Sequence, residues 1–448
     1  MNSLQLADIF HALCIIAFLL LIANIIKRSL LKGLIVPSSL IAGALGLVLG
    51  PQLLGQFFSL SVAGENIWIT QTSVDIFKAL PGYLIVIVFA GLFLGKSIPS
   101  LSESLNSSLP NLGFGYTIAI GQYVVGMIAT LLIIIPFFDL QPAVGALIAV
   151  GFQGGHGTVA GLGSTFDEIG FTNGLDLGLG IATIGLISAI ILGTIMSNVS
   201  NKREDEDSKA EPQIGEDDDL RKVKDRPIGL QFAILGAVIA VAWLLLSALQ
   251  LAENAVFADS DVAIMKYMPL FPIAMMVGLV TQVLLNKAGV GHWSSHYQIN
   301  LISNLSLDIL IVSALAALDL SVLADYWQAI ALLGAVGVIY SASVYFFAGS
   351  WFFQNNWKIR GLGELGQSMG TTAVGLLMLK QSSGKPQAHI KPFSYKQPLY
   401  EPVVGGGLVT ALAIPTIAAI GAKAFAGIMS ALLLIIVASF YLTAKRAK

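Results

Sequence analysis

Charge is what this sequence has least of: Asp, Glu, Lys and Arg make up 11% of its 448 residues, against roughly 25% in soluble globular proteins. That deficit excludes a water-soluble globule. The net charge of -2 leaves no basic surface for nucleic acid. A single cysteine, Cys14, excludes a disulfide framework and a cysteine-based zinc site, and in its apolar run it reads as a small buried hydrophobe. No nucleophile elbow, phosphate-binding loop, pair of catalytic carboxylates or metal-spaced histidine pair occurs, so neither enzyme chemistry nor ATP-driven work has a foothold, and no cofactor is expected. What abounds is apolar: 56% of residues are hydrophobic and the mean hydropathy is +0.81. The class is a polytopic membrane protein whose partners are lipid, small solutes and a second copy of itself.

Segments of about 20 apolar residues span the hydrocarbon core. They fall near 9–26, 35–54, 81–98, 113–137 and 176–196, then near 229–251, 268–286, 303–320, 328–352, 402–421 and 424–443. The first run is followed, not preceded, by Lys27, Arg28 and Lys32, the reverse of a signal peptide, so it is expected to be a retained helix. Asn198 to Pro227 is a linker of mixed charge with almost no apolar content.

The two halves resemble each other. Pro37 stands six residues before Gly43 as Pro272 does before Gly278, each in the second span of its half. Phe93-Leu94-Gly95-Lys96-Ser97 parallels Ala317-Leu318-Asp319-Leu320-Ser321 after each third span, and Gly157-Thr158 parallels Gly370-Thr371 after each fourth. Five spans per half is an odd number, so the second repeat must be inverted. The expected divisions are a first repeat at 1–197, a linker at 198–227, an inverted repeat at 228–422 and an additional helix with a basic tail at 423–448. Lysine and arginine favour cytoplasmic loops. With the N-terminus outside, the inner loops collect Lys27, Arg28, Lys32, Lys96, the basic residues of the linker, Lys287, Lys358, Arg360, Lys445, Arg446 and Lys448, while Asp139, Glu253, Asp259, Asp261 and Asp325 fall outside. The expected location is the inner membrane, with linker and C-terminus cytoplasmic.

Two glycine-rich breaks interrupt this pattern, at about 143–165 and 362–380. Backbone at membrane depth must have its polar groups satisfied, so such breaks survive only inside protein or beside a watery cavity, and paired breaks in corresponding positions point to a transport site. Each is expected to be a re-entrant hairpin, the first dipping from outside and the second, flanked by Lys380, Lys385, Lys391 and Lys396, from inside. The candidate substrate- and ion-binding residues are Gln153, Gly154, Gly155, His156, Gly157 and Thr158 at the first tip, and Gly366, Gln367, Ser368, Met369, Gly370, Thr371 and Thr372 at the second. Glycines let backbone approach a ligand, and the hydroxyls of Thr158, Ser368 and Thr371 are hard oxygens suited to sodium. Isolated Gly43, Gly46 and Gly50 read instead as helix-packing contacts. His156 is open to three roles: substrate contact, proton relay or a structural hydrogen bond. Asp308, early in its span, is either a cation ligand or an interfacial residue bonded to Asn304 or Ser306. Lys96, Asp319 and Glu364 stand near span ends, where snorkelling is cheap.

Gly154-Gly155-His156-Gly157-Thr158, followed by Phe166, Glu168 and Gly170-Phe171-Thr172-Asn173, resembles the first pore-loop region of the bacterial sodium/glutamate symporters, a group related to the 2-hydroxycarboxylate transporters. The resemblance implies an all-α fold of two inverted repeats of five transmembrane helices, each with a re-entrant hairpin. It also implies sodium as coupling ion, L-glutamate or a similar small anion as substrate, and a homodimer moving in elevator fashion. The second loop departs from the family pattern, which is richer in Ala, Pro and Thr, and Leu162 stands where tryptophan is familiar. The rival class is a cation/proton antiporter, which requires titratable carboxylates at the midplane.

Overall fold

A computed structural model of the chain describes residues 6–30, 36–56, 61–62, 65–66, 69–201, 227–256, 264–353, 355–382 and 387–446. It is helical throughout save for a two-residue antiparallel pair, β1 (Ser61–Val62) and β2 (Glu65–Asn66). The first half contains α1 (Leu6–Ser29), α2 (Ser38–Leu49), α3 (Gln71–Gly91), α4 (Leu101–Ala129), α5 (Ile135–Phe138), α6 (Leu147–Gly161), α7 (Gly163–Glu168) and α8 (Gly174–Asn201). The second contains α9 (Ile228–Val256), α10 (Leu270–Lys287), α11 (His296–Ala316), α12 (Leu320–Asp325), α13 (Trp327–Phe352), α14 (Trp357–Gly370), α15 (Thr372–Ser382), α16 (Gln387–Tyr400), α17 (Leu408–Ile420) and α18 (Ala422–Arg446). Among the described residues, nine helical stretches are long and apolar enough to cross a membrane, with α4 running on through a π turn into α5 as one of them. The linker expected at 198–227 lies, from 202 to 226, outside the described residues.

Three spans differ from expectation. The stretch at 35–54 yields only α2, bounded by Pro37 and Gly50-Pro51, and its 12 residues reach about 18 Å at 1.5 Å per residue, short of the hydrocarbon core. The stretch at 81–98 begins earlier, because Thr70 and Ser73 form a capping box that starts α3 at Gln71 and carries Pro81 inside the helix. The stretch at 402–421 contributes only the 13-residue α17, bounded by Gly407 and by Gly421 at φ 83°. Cys14 is exposed on α1 rather than buried, as are its neighbours Phe10, Phe18 and Leu21. On α9, Trp243 and Leu244 are 67% and 70% exposed, an apolar face that suits lipid and not water.

The helices form two bodies. In a panel, α1, α2, α3 and α11 share a core that includes Ala12, Ile16, Leu19, Ala42, Phe77, Val312 and Ala316. Small residues set its close approaches: a methyl added at Gly43 would meet Leu315, one at Gly46 would meet Ala316, and one at Gly278 of α10 would collide with the Ala90 carbonyl of α3. Thus the glycine of α2 seats on α11 and that of α10 on α3. Side chains repeat this exchange, since Gln52 accepts from the Leu320 amide and donates to the Leu318 carbonyl, while Gln282 accepts from the Gly95 amide. The second body gathers α4, α6, α8 and α13 to α18 around the two glycine-rich breaks, and its core continues without a gap into α3, α9, α10 and α11.

Candidate functional site

The first break falls at Gly155, whose φ of 66° and ψ of -171° leave the helical region in the middle of α6. Its two arms double back, because a methyl added at Gly178 of α8 would touch both Leu147 and Val159, one from each arm. The second break falls at Thr371, with φ 88° and ψ 163° between α14 and α15. Those helices also fold together: Gly363 closes on Leu379, and Gly366 on Gly375 and Met378. A methyl added at Gly155 would lie 2.8 Å from Thr371 Cγ2, so the two tips meet.

α8 shows how they approach. Gly178 and Ala182 lie against the first hairpin, Gly185 against both Phe152 and the Met369 carbonyl, and Ala189 and Gly193 against Gly370 and Met378 of the second. At 1.5 Å per residue the route from Gly178 to Gly193 covers about 22 Å, with the tips near its middle. α4 gives the opposite order: Gly115 packs on Glu364, Gln122 bonds the tips, and Gly126 meets Gly145 ahead of the first hairpin. The hairpins therefore enter from opposite ends and meet midway.

A hydrogen-bond chain joins them through α4. The Tyr400 hydroxyl donates to Gln153 Oε1 (2.7 Å), Gln153 Nε2 donates to Gln122 Oε1 (3.3 Å), and Gln122 Nε2 donates to the Ser368 carbonyl (2.9 Å) and to Ser341 Oγ (3.0 Å). His156 Nε2 lies 2.9 Å from Thr183 Oγ1, whose own proton goes to the Leu179 carbonyl, so the imidazole donates through Nε2–H. Thr158 Oγ1 and Ser368 Oγ are buried without hydrogen-bond partners. The Tyr400 hydroxyl stands near Ser368, and with its proton given to Gln153 its oxygen is open to accept from Ser368. Buried hydroxyls are normally satisfied, so of the two Thr158 is the one left in want of a partner among the described residues.

The remaining candidates separate. Gly154, Gly366, Met369 and Gly370 pack the hairpins, and Gly157 faces Ile85, Leu307 and Leu310 of the panel. Thr372 donates to Glu401 Oε1, and Gln367 donates to the same oxygen at 3.0 Å. Asp308 sits mid-helix in α11 instead of early in its span, half-buried beside Leu307, and among the described residues it has no bond to Asn304 or Ser306.

Sequence reasoning missed a charged cluster. Glu364 is fully buried, not snorkelling, and pairs with Lys396, which is equally buried and not the loop cation expected from its flanking position. Asn111 Nδ2 donates to Glu364 Oε1 (2.8 Å) and Asn111 Oδ1 accepts from Arg360. Lys396 also lies over the Tyr400 ring, 4.1 Å from its centroid. Glu401, 7% exposed, stands beyond the end of α16 in the 401–407 connection to α17. Three prolines and three lysines make 385–398 read as a surface loop. The signal overlooked was a third glycine cluster, Gly405-Gly406-Gly407, which breaks the last span of the second half as the hairpin tips break theirs.

A family model described as sodium/glutamate symporter matches residues 4–356. No curated protein matches the chain. The family match takes in the panel and the first hairpin and ends just before Trp357, where α14 begins.

Proposed function

The chain belongs to the sodium/glutamate symporter family, and from that premise we propose that it imports L-glutamate or a similar small anionic solute with sodium, by alternating access of the elevator type. It is a transporter and not an enzyme. The observation that carries this reading is the meeting of opposed tips at Gly155 and Thr371, which provides one site between two entrances. The orphaned hydroxyl of Thr158 supports sodium there. Two bodies, one built on the α2–α11 and α3–α10 contacts and the other around the hairpins, support a moving part and a frame. The reciprocal seating of Gly43 and Gly278 supports two inverted repeats, with 1–197 and 228–422 as the halves. Loop charge supports an inner-membrane protein with its N-terminus outside and its C-terminus in the cytoplasm. The exposed apolar faces of α1 and α9 support lipid contact and a homodimer.

The test is uptake by purified protein in liposomes. Glutamate accumulation should follow an imposed sodium gradient and collapse when choline replaces sodium; accumulation indifferent to sodium rejects the coupling. Cation/proton antiport is the rival, and Glu401 is a buried carboxylate of the kind it needs. Sodium-driven proton movement in liposomes without glutamate would favour it.

A further inference from the structure

Glu401 raises a question of charge balance. Its carboxylate is 7% exposed, and a buried charge is ordinarily paired or bound to a metal ion. Among the described residues the ion pair is Lys396 with Glu364, and Glu401 has none. The cations whose fields reach it are Lys396, already neutralised by Glu364, and Lys96, half-buried beyond the end of α3. What touches it is neutral: the Thr372 hydroxyl and the Gln367 amide nitrogen both donate to Oε1, and Gln397 Oε1 lies one step away on the same amide nitrogen.

The Gln367 amide is over-subscribed. Its Nε2 lies 2.9 Å from Thr372 Oγ1, 3.0 Å from Gln397 Oε1 and 3.0 Å from Glu401 Oε1. An amide nitrogen carries two hydrogens and cannot serve three acceptors at once. Thr372 Oγ1, Gln397 Oε1 and Glu401 Oε1 therefore lie close to one another around a single amide group, and when that amide swings aside these oxygens, with Gln367 Oε1, are ligands of the kind a small cation takes. The backbone is shaped around the carboxylate as well. A methyl added at Gly405 would collide with Glu401 Oε2, and Gly406, at φ 88°, would bring one within 3.0 Å of the orphaned Thr158 Oγ1. The 401–407 connection thus presents its carboxylate to the second hairpin and its glycine edge to the unsatisfied hydroxyl of the first.

We propose that Glu401, with Thr372 Oγ1 and the side-chain oxygens of Gln397 and Gln367, binds the co-transported sodium ion, and that Thr158 Oγ1 reaches the same ion across Gly406. The proposal rests on the transporter reading above. One carboxylate among neutral oxygens gives the site a single negative charge, matched to a monovalent cation. Apart from Thr158, the residues belong to α14 through the 401–407 connection, outside the span matched to the family.

Sodium binding is measured without glutamate, by radioactive sodium and by melting temperature in sodium against choline. Sodium should raise the melting temperature of the unsubstituted protein saturably. Glu401→Gln should increase the half-saturating sodium concentration by about tenfold or more, and Thr372→Val by several-fold, as loss of a first or supporting ligand does at metal sites. Unchanged half-saturation in Glu401→Gln overturns the proposal. So does loss of a pH response with the sodium response intact, which would make Glu401 a proton carrier. If Glu401→Gln does not fold, Thr372→Val decides, and wild-type sodium affinity there overturns it equally. Failure of the transporter reading is distinguishable, because the unsubstituted protein would then show no sodium-dependent uptake.

Discussion

The two hairpin tips touch, yet they are made by different means. The first turns at Gly155, which enters φ 66° without penalty, and its Gln153 and His156 side chains are satisfied by neutral partners: Thr183, Gln122 and Tyr400. The second turns at Thr371, a β-branched residue at φ 88°, where strain is on the order of 1–3 kcal/mol and persists only if the surroundings over-determine it. Those surroundings are charged: the Glu364–Lys396 pair, Arg360 on Asn111, and Glu401 on Thr372. One tip is shaped by what its backbone permits and the other by what its side chains impose. The boundary of the family match falls between them, just ahead of the second.

The largest effect that could break this contrast lies in the ion pair. Lys396→Ala or Glu364→Ala leaves a buried charge alone and should cost on the order of 3–5 kcal/mol, while replacing both by methionine should recover most of it. Melting in detergent checks this, and single variants as stable as the parent would mean that charge does not hold the second tip. Next comes the turn residue itself. Gly155→Val should abolish uptake in a protein that still folds, because its Cβ would crowd Thr371 Cγ2 in a conformation that valine resists. Thr371→Gly should do the reverse and raise stability by about 1 kcal/mol, relief of strain exceeding the entropy of glycine. Loss of stability there would show that Thr371 is not strained in place.

The smallest effect sharpens the comparison from outside both tips. Asp319 caps α12, accepting from the hydroxyl and amide of Ser321, and the Ser321 hydroxyl holds its carboxyl below the usual range. A carboxyl depressed on folding contributes stability above its unfolded pKa and loses it as pH falls through the folded value. Asp319→Asn should therefore slightly flatten the acid limb of stability against pH. An unaltered limb would remove Asp319 from the account.

The hairpins were legible in the sequence because clustered glycine weakens a spanning helix and is stable in an apolar segment only where the chain turns inside protein, and the Gly154 to Thr158 run carried the family. The packing role of Gly43 and Gly46 was legible for the opposite reason, since the two are spaced by three residues within an unbroken helix and share the face that seats on α11. Lys396 and Glu401 were hidden because periodicity and hydropathy describe a residue's own segment, whereas their burial depends on α4 and α14 closing over them. Asp308 drew notice as an intramembrane carboxylate, and it stands half-buried in the middle of α11.

Where the hairpin body meets the panel, Gly157 and Gly161 look out on the methyl groups of Ile85, Leu307 and Leu310. Apolar contact has no preferred direction and scarcely changes when one surface is displaced along the other. In the elevator movement proposed above such a seam would act as a dry bearing, holding the two bodies together at nearly constant energy over a range of positions, so the speed of travel would be set by whatever grips at the two ends of the stroke and hardly by friction along the way.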